Sequence, residues 1–574
     1  MIEINKIIKI LPAGEKKNTI IFLFMSMLIM ILESFSIGLI FPLIIVGLSD
    51  DYEQEKIYLL LKDYFEGYSY QELIFFLLIF LVTIYVLKNI FLLYLHWWKN
   101  GFCNRVQFKI EKKLLGIYLF QSYLDILKKN SALKIRNIVK ETSRFAKFFL
   151  SSMTLFIEIM VLIGITSIIF FLQPEAAIYV LVLIILITVF FYFIAKIKAV
   201  EWGKKKVFHS GQTLKALVEG LSAIKEIKVF KKENFFINNF SYHNKIVLHV
   251  TRMFSTFNES PRILIEAISV LTMSFAIIFM FNNGEEKTEI LAMVGIFTAA
   301  GLRLLPSTSR IINCINDIKN NMPSIDLIIE ELSLKSINEK SFSSKNLINK
   351  FNSDIEFNDI KFSYSNLSKP IIENLNLKIK KGSVTAIVGQ SGSGKSTILN
   401  LLLGFFQANK GTLKIDGRIL TENDHYSKNF FGYVSQEIFL LDESIKYNIS
   451  FGEENVDDEK LRKAINIAQL SDFILNLEKG VETHIGEKGL NISGGQRQRI
   501  AIARAIYLDA EILILDEATN ELDEENEDKI IKNLISVHKH KTIILTTHNQ
   551  NILKSCDQII SIKDNKFEVK HRND

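Results

Sequence analysis

The segment VTAIVGQSGSGKSTILNLLLG, residues 384–404, places glycines, hydroxyl side chains and one lysine at a spacing that suits phosphate binding. Gly389 to Ser396 fits the pattern G-x-x-x-x-G-K-[ST] and lies between a predicted strand and a predicted helix. In such a loop, backbone N–H groups cradle the phosphates, the lysine reaches the β- and γ-phosphates, and the hydroxyl binds Mg²⁺. The nucleotide-binding residues predicted from this pattern are Gly389, Gln390, Ser391, Gly392, Ser393, Gly394, Lys395, Ser396 and Thr397.

A second motif, EILILDEAT at 511–519, is an apolar run that ends in two carboxylates. The run reads as a buried strand, and α/β sheets bind ligands at the carboxyl edge of their strands. Phosphoryl transfer depends on positioning and on charge neutralisation. We therefore expect Asp516 to hold Mg²⁺ together with Ser396, and Glu517 to polarise the attacking water. ATP and Mg²⁺ are the cofactors that the two motifs predict.

The first 330 residues are apolar enough to form membrane-spanning helices. The chain has 574 residues, of which 49% are hydrophobic, and the long apolar runs all precede the two phosphate motifs. A helix rises about 1.5 Å per residue, so about 20 apolar residues cross the hydrocarbon core of a bilayer. Six segments meet that length with few charges: about 20–46, 73–98, 148–171, 176–195, 262–282 and 289–316.

The basic residues of the loops predict how these spans are oriented. Lysine and arginine concentrate between spans two and three and between spans four and five, whereas the segment between spans one and two is acidic. Because cytoplasmic loops carry the excess of basic residues, we expect the N-terminus and everything after span six in the cytoplasm. The formal charge of +6 then reflects membrane topology rather than nucleic-acid binding. The N-terminus shows no cleavable-signal pattern, and the three cysteines lack metal-binding spacing.

The sequence after the spans divides into a linker and a soluble part. Residues 331–351 are polar and rich in serine and asparagine, as is typical of a linker. Both phosphate motifs lie in 352–574, where strand-like and helical patterns alternate. The sequence therefore predicts an α-helical six-span membrane domain at 1–330, followed by an α/β P-loop NTPase domain.

Ionisable side chains in the spans suggest what is carried across the membrane. Lys88, Arg262 and Arg303 lie in or at the edge of spans two, five and six, and Glu33 lies in span one. An ionisable residue in a span costs at least about 2.5–3.5 kcal/mol and usually faces a cavity or a partner. Arginine matches phosphate with two parallel hydrogen bonds. The three cations are therefore candidate contacts for an anionic head group, unless Lys88 and Arg262 extend to the inner interface instead.

A third motif, NISGGQRQR at 491–499, lies between the two phosphate motifs and resembles the signature of ATP-binding-cassette (ABC) proteins. Over its whole length the chain resembles an exporter-type ABC half-transporter, which has six spans and one cassette. The resemblance implies ATP hydrolysis coupled to transport. It also implies adenine stacking by Tyr364, Mg²⁺ contact by Gln436, γ-phosphate contact by His548, and a grip on the γ-phosphate bound to the opposite subunit by Ser493, Gly494, Gly495 and Gln496.

The same resemblance implies a dimer, because in this family a signature reaches the nucleotide of the opposite cassette. A homodimer with two competent sites is expected, and a heterodimer stays open. After Glu517 the family commonly has serine-alanine-leucine-aspartate, whereas this chain has Asn520, Glu521, Leu522 and Asp523. The aspartate of this interface loop is retained, so we expect activity to persist. The first two substitutions bear on coupling across the interface.

Two segments outside the spans, SYLDILKKN at 122–130 and IKVFKKENFF at 227–236, occupy positions at which exporters place short helices that dock on the cassettes. A charge-rich amphipathic segment can also be a solvated surface, but the position favours docking. Coupling of ATP hydrolysis to transport would then run through these segments.

Three stretches of the membrane part resemble the lipid-linked oligosaccharide flippases of bacterial glycan assembly, the PglK-like group: ESFSIGLIFPL at 33–43, SPRILIEA at 260–267 and GLRLLPSTSRI at 301–311. The resemblance implies that a pyrophosphate-linked lipid is flipped from the inner to the outer leaflet of a bacterial cytoplasmic membrane. A multidrug or lipid exporter is the alternative, since it shares every cassette motif. Peptide exporters often carry a protease domain before the first span, which is not expected here. The expected partners are a second copy, membrane lipids and the lipid-linked substrate, and not nucleic acid.

Overall fold

A computed structural model of the chain describes residues 13–39, 70–128, 130–172, 174–283, 287–334, 347–364, 370–421, 424–486, 489–537, 541–563 and 566–572. The chain forms two compact units. The first comprises Met1–Gln121 and Lys128–Ser336, and the second comprises Ser122–Leu127 and Ile337–Asp574. Each unit contains its own hydrophobic cluster.

The described part of the chain up to residue 334 is helical. In chain order the helices are α1 (Lys16–Gly38), α2 (Tyr70–Leu119), α3 (Tyr123–Lys128), α4 (Ser131–Arg136), α5 (Thr142–Leu172), α6 (Pro174–Ile194), α7 (Val200–Ser222), α8 (Ile224–Phe230), α9 (Glu233–Asn283) and α10 (Lys287–Leu332). Short π-helical turns, Asn137–Glu141 and Ala195–Ala199, join α4 to α5 and α6 to α7. The 50 residues of α2 extend about 75 Å, far more than the roughly 30 Å of a hydrocarbon core.

Three segments of the described chain are long and apolar enough to cross a membrane: Lys17–Ser36, Ile74–Leu119 and Ser131–Ile168. They overlap the first three predicted spans. The other three predicted spans fall on α6, α9 and α10, where many side chains are outside the described set. Residues 40–46 of span one lie outside it as well. The arrangement in six spans and the domain boundaries at 330 and 352 stay predictions.

The helices of the first unit pack around one large apolar cluster. It joins α1, α2, α5 and α10 through the fully buried side chains of Ile29, Phe102, Phe145 and Ile328. Helices α7 and α10 approach each other closely, because a Cβ added to Gly203 of α7 would overlap the backbone carbonyl of Asn320 in α10. Glycine at this position lets two helix backbones touch.

The second unit is an α/β cassette. Its strands are β1 (Leu347–Ile348), β2 (Asp354–Phe362), β3 (Ile372–Lys380), β4 (Val384–Gly389), β5 (Lys410–Ile415), β6 (Arg418–Ile419), β7 (His425–Tyr426), β8 (Phe431–Val434), β9 (Ile512–Asp516), β10 (Thr542–Thr546), β11 (Gln558–Lys563) and β12 (Lys566–His571). Its helices continue the numbering as α11 (Lys395–Leu402), α12 (Ile445–Ser450), α13 (Asp458–Ile467), α14 (Ser471–Leu475), α15 (Gly494–Tyr507), α16 (Glu524–Val537) and α17 (Gln550–Leu553).

A mostly parallel sheet positions the ends of the cassette strands. Its order is β12–β11–β4–β10–β9–β8, and only β12 runs antiparallel to its neighbour. A second, antiparallel sheet has the order β3–β2–β5–β6. Since β9 and β10 are buried along their whole length, they read as continuous apolar runs in the sequence. A helical unit followed by an α/β cassette confirms the predicted fold class.

Two segments from outside the predicted cassette range, 352–574, belong to this unit. Leu347–Ile348, inside the predicted linker, pairs with β7 as a short parallel strand. Ser122–Leu127, from the first predicted docking segment, also belongs to this unit. Within it, the Tyr123 ring packs at a tilt against Phe405 and Phe406, and its centroid lies 4.9 Å and 6.1 Å from theirs.

Gly203→Ala should lower the temperature of thermal unfolding, because the new methyl group would collide with the Asn320 carbonyl and push α7 from α10. Overpacking of this kind costs about 1–3 kcal/mol. Gly116→Ala in α2 is the matched control: nothing lies within 4 Å of a Cβ placed there, so alanine should stabilise the helix by up to about 1 kcal/mol. Unfolding of the two variants in nanodiscs measures the difference. Equal stability of Gly203→Ala and the parent would contradict the close contact.

Candidate functional site

The phosphate loop connects β4 to α11. Gly392 and Gly394 have φ values of 81° and 101°, a region that favours glycine, and they let the chain turn tightly before the helix. The buried Lys395 bends back over the loop, where its Nζ donates to the carbonyl oxygens of Gly389 at 2.8 Å and Gln390 at 3.5 Å. The loop therefore carries a cation at its centre and a helix N-terminus at its end.

The interior of the loop fits a phosphate group. A Cβ on Gly389 would crowd the Ser393 hydroxyl, so glycine keeps the strand end open. The Ser393 Oγ is buried and has no hydrogen-bond partner among the described residues. Burying a hydroxyl group without an acceptor costs folding free energy. A phosphate oxygen held at the helix N-terminus would accept a hydrogen bond from this hydroxyl. The residues present thus suit a nucleotide phosphate.

Oxygen ligands for Mg²⁺ meet at the end of β9. The Ser396 hydroxyl lies 3.5 Å from Asp516 Oδ1, which also accepts a hydrogen bond from the Thr546 hydroxyl at 3.1 Å. Burial raises the pKa of the Asp516 carboxyl group, and a bound divalent cation would favour its ionised form. One carboxylate and one hydroxyl, completed by phosphate oxygens and water, form a donor set typical of Mg²⁺.

Glu517 is held from several sides. Its φ of 48° is unusual for a residue with a side chain, and its N–H donates to the Thr546 hydroxyl at 2.6 Å. Its Oε1 lies 3.4 Å from Lys395 Nζ, and its Oε2 accepts from the amides of Gln436 at 2.8 Å and Asn520 at 3.1 Å. Backbone strain of this kind clusters at active sites. The carboxylate beside the phosphate loop can accept a proton or orient a water molecule.

The signature residues form the start of α15. The Ser493 hydroxyl accepts from the Gln496 N–H at 3.3 Å, and the Ser493 N–H donates to Gln496 Oε1 at 2.8 Å. This reciprocal pair is a capping box, so the Gln496 side chain is engaged in starting the helix. Across the described chain, Ser493, Gly494, Gly495 and Gln496 make no hydrogen bond to their own phosphate loop. Their expected contact with the nucleotide of the opposite subunit stays a prediction.

Two predicted contacts are exposed. Tyr364 is 52% exposed, and its ring packs edge-on against Phe362 and Phe406, which leaves surface for stacking on a base. His548 follows the end of β10. Neither residue hydrogen-bonds to the phosphate loop within the described structure. The site residues that the fold does bring together are Lys395, Ser396, Gln436, Asp516 and Glu517.

The candidate substrate cations have different surroundings. Lys88 is buried with Glu33, and its Nζ lies 3.2 Å from the Glu33 carboxylate and 4.1 Å from the centre of the Tyr85 ring. The charge that Lys88 was expected to offer a cargo is thus balanced inside the protein. Arg262 is exposed on α9, and the side chain of Arg303 in α10 lies outside the described set.

A cavity of about 80 Å³ lies between α1, α2, α5 and α10. Its lining combines apolar side chains with the ionisable residues Glu33, His96, Lys99, Glu158 and Arg310. Lys99 is 3% exposed and donates to the Thr154 hydroxyl at 2.8 Å. Glu158 accepts from the Ser307 hydroxyl at 2.7 Å and pairs with Arg310 at 2.7 Å. Lys99, Glu158 and Arg310 were not among the predicted site residues. Glu158 and Arg310 fall inside predicted spans, which is the signal that could have revealed them.

Comparison with known proteins finds ATP-driven transporters. The family model described as ABC transporter matches residues 372–520. The ATP-dependent lipid A-core flippase of Wigglesworthia glossinidia brevipalpis is 31% identical over 392 residues, which cover 67% of this chain and 67% of the flippase. The flippase of the same name from Photorhabdus laumondii subsp. laumondii is 31% identical over 360 residues, which cover 62% of this chain and 61% of that protein.

A solved structure shares the fold along nearly the whole chain. It is the structure of a bacterial Atm1-family ABC exporter with ATP bound, with a TM-score of 0.76 at 19% sequence identity. The match covers 98% of this chain and 96% of the exporter chain. The likeness extends through both the helical part and the cassette.

Glu517→Gln should lower the kcat of ATP hydrolysis by at least about 100-fold and preserve ATP binding, because an amide fills the same space but cannot accept a proton. Lys395→Ala should instead weaken ATP binding by about tenfold or more, since it removes a charged hydrogen-bond donor from the loop. Lys410→Ala, which removes an exposed lysine of β5, is the matched control. Steady-state hydrolysis and equilibrium nucleotide binding separate the two effects. Normal turnover by Glu517→Gln would exclude the catalytic role.

Proposed function

The chain belongs to the ABC exporters, and from this membership we propose that it moves an anionic, lipid-linked oligosaccharide from the inner to the outer leaflet of the cytoplasmic membrane. Membership follows from 31% identity to a lipid A-core flippase over two thirds of both chains. The protein is a multi-pass membrane protein that couples ATP hydrolysis to transport. The cargo and the roles of individual residues are the proposal.

Hydrolysis would take place at the carboxyl edge of the parallel sheet. Lys395 would bind the terminal phosphates, and Glu517 would orient the attacking water and take its proton. Ser396, Gln436 and Asp516 would hold Mg²⁺, which supplies positive charge against the phosphates when it is bound. Because the Gln436 amide donates to the Glu517 carboxylate, a shift of Gln436 would reach the catalytic group directly.

A second copy of the chain would complete each nucleotide site. Among the described residues, the signature has no hydrogen bond to its own phosphate loop, and a helix start with glycine N–H groups attracts phosphate. The segment around α8 exposes Val229 by 75% and Phe230 by 69%. Large exposed apolar groups in a segment predicted to lie in the cytoplasm favour contact with another polypeptide. We propose a homodimer, with a heterodimer as the alternative.

The buried amino group of Lys99, which has no carboxylate within ion-pair distance among the described residues, is the observation that carries the cargo proposal. Glu33 pairs with Lys88, and Glu158 pairs with Arg310, so each carboxylate of the cavity is matched by another cation. Lys99 donates to a threonine hydroxyl and forms no ion pair within the described residues. A buried ammonium without a counter-ion costs several kcal/mol. A phosphate or pyrophosphate oxygen on a lipid would balance this charge.

The proposed cargo site therefore differs from the one that the sequence predicted. Lys99 takes the role expected of Lys88, and Arg262 and Arg303 stay candidates for further contacts. The names of the similar proteins, lipid A-core flippases, agree with a lipid cargo. A multidrug exporter or an exporter of another lipid is the alternative, because the geometry of the cassette does not depend on the cargo. We place the protein in a bacterial cytoplasmic membrane, with the N-terminus and the cassette in the cytoplasm.

Lys99→Met should remove most of the stimulation of ATP hydrolysis by a polyprenyl-pyrophosphate glycan, because methionine keeps the length of the side chain without its charge. The expected loss in apparent affinity is about tenfold or more, as for a charged hydrogen bond of about 1.5–3 kcal/mol. Lys113→Met, an exposed lysine on the same helix, is the matched control. Proteoliposomes with a fluorescent glycan lipid measure flipping and hydrolysis together.

Three outcomes of this experiment have distinct meanings. Normal flipping by Lys99→Met would remove Lys99 from the cargo site. Full activity of Arg262→Ala and Arg303→Ala would remove those two residues as well. Stimulation of the parent by hydrophobic drugs, with no response to pyrophosphate lipids, would favour the multidrug alternative.

A further inference from the structure

Glu521 places a carboxylate against the first turn of α15, the helix that begins with the signature residues. A Cβ built on Gly494 would overlap the Glu521 Oε2 atom, which also lies 3.5 Å from the Arg497 guanidinium. The Glu521 side chain is 55% exposed, so an incoming anion can reach the same place. The glutamate thus puts a negative charge beside the glycine that opens the signature helix.

The backbone of Glu521 is fixed to the same helix. Its N–H donates to the side-chain oxygen of the buried Gln498 at 2.9 Å. Its carbonyl oxygen would lie 3.2 Å from a Cβ on Gly495, so the loop and the helix touch here too. These contacts anchor the side chain at the start of α15, and its carboxylate cannot move far while they last.

The start of α15 attracts anions. Ser493 and Gln496 satisfy each other in the capping box, whereas the N–H groups of Gly494 and Gly495 donate to no acceptor in the described part of the chain. The first turn of a helix carries the equivalent of about half a positive charge. Glu521 is the anion that the chain itself supplies to this field.

We propose that Glu521 competes with the γ-phosphate for the start of α15 and so sets the ATP concentration at which two cassettes close on their nucleotides. The inference rests on the proposed dimer, in which the signature of one chain meets the γ-phosphate bound to the other. The Glu521 carboxylate and the γ-phosphate are both attracted to the positive N-terminus of α15, and the two negative groups repel each other. ABC exporters commonly have alanine at this position, so the competition is a property of this chain rather than of the signature itself.

Coulomb's law gives the size of the effect. Two unit charges about 6 Å apart in water change an equilibrium constant about threefold, and a doubly charged phosphate changes it about tenfold. Salt screens this repulsion, because the Debye length is about 30 Å at 0.01 M and about 3 Å at 1 M ionic strength. Arg497 lies beside the same carboxylate and reduces the repulsion without removing the charge.

Glu521→Gln in the full-length protein, reconstituted in nanodiscs, tests the proposal. At low ionic strength the KM for ATP should fall about three- to tenfold, with kcat within about twofold of the parent. When the NaCl concentration is raised from about 0.05 M to about 0.5 M, the difference in KM between variant and parent should disappear. A residue that only packs the loop would not give a KM difference that salt removes.

Glu525→Gln is the matched control, since it neutralises an exposed carboxylate of α16 that pairs with Lys529 rather than with α15. Its KM should equal that of the parent at every salt concentration. The ATP dependence of cassette association in a Glu517→Gln background gives a second readout, in which Glu521→Gln should shift the midpoint to lower ATP. An unchanged or higher KM for Glu521→Gln at low salt overturns the proposal. A parent protein without ATPase activity would instead refute the proposed function.

Discussion

Parallel pairing of β4, β10 and β9 is the constraint on which the nucleotide site depends. The register sets Thr546 opposite Ile387 on one side and opposite Asp516 on the other, so the phosphate loop and both carboxylates meet at one edge. From that position the Thr546 hydroxyl bonds both the Asp516 carboxylate and the Glu517 backbone. A slip by one residue would turn these side chains to opposite faces of the sheet. The register is secure because β9 and β10 are buried on both faces.

In the helical unit, charged side chains are positioned by ion pairs between helices and not by strand register. Glu33 of α1 pairs with Lys88 of α2, and Glu158 of α5 pairs with Arg310 of α10. The Glu33–Lys88 pair is buried, and removing one partner from a buried pair leaves an isolated charge and costs about 3–5 kcal/mol, so this pair also holds α1 to α2. Lys99 shares the cavity but relies on a hydroxyl. Buried charges are normally paired, and Lys99 has no ionic partner among the described residues, which is why the cargo proposal centres on this lysine.

The sequence predicted the positions of those site residues that belong to short local motifs. Lys395 and Ser396 belong to a strand–loop–helix motif of a few residues, and Asp516 and Glu517 end an apolar strand, so their places were predictable before the fold was known. The Lys88–Glu33 contact joins residues 55 apart, and the Ser307–Glu158 contact joins residues 149 apart. No local pattern names such partners, since they depend on how helices pack. For the same reason Asn520 and Glu521 stood out only as departures from a family pattern, and their contacts came from the fold.

Asn520 and Glu521 link the Glu517 carboxylate to the signature residues within one short segment. Asn520 donates to the Glu517 carboxylate, and the next residue, Glu521, touches the start of α15. Because adjacent residues share a peptide unit, moving the Glu521 backbone away from Gln498 would also move the Asn520 amide that steadies Glu517. If a phosphate displaced Glu521 in the proposed competition, the position of the Glu517 carboxylate in the same chain would change as well. Coupling of this kind needs one element with two arrangements that both sites bias, and the segment from Glu517 to Glu521 is the candidate for such an element because it contacts both sites.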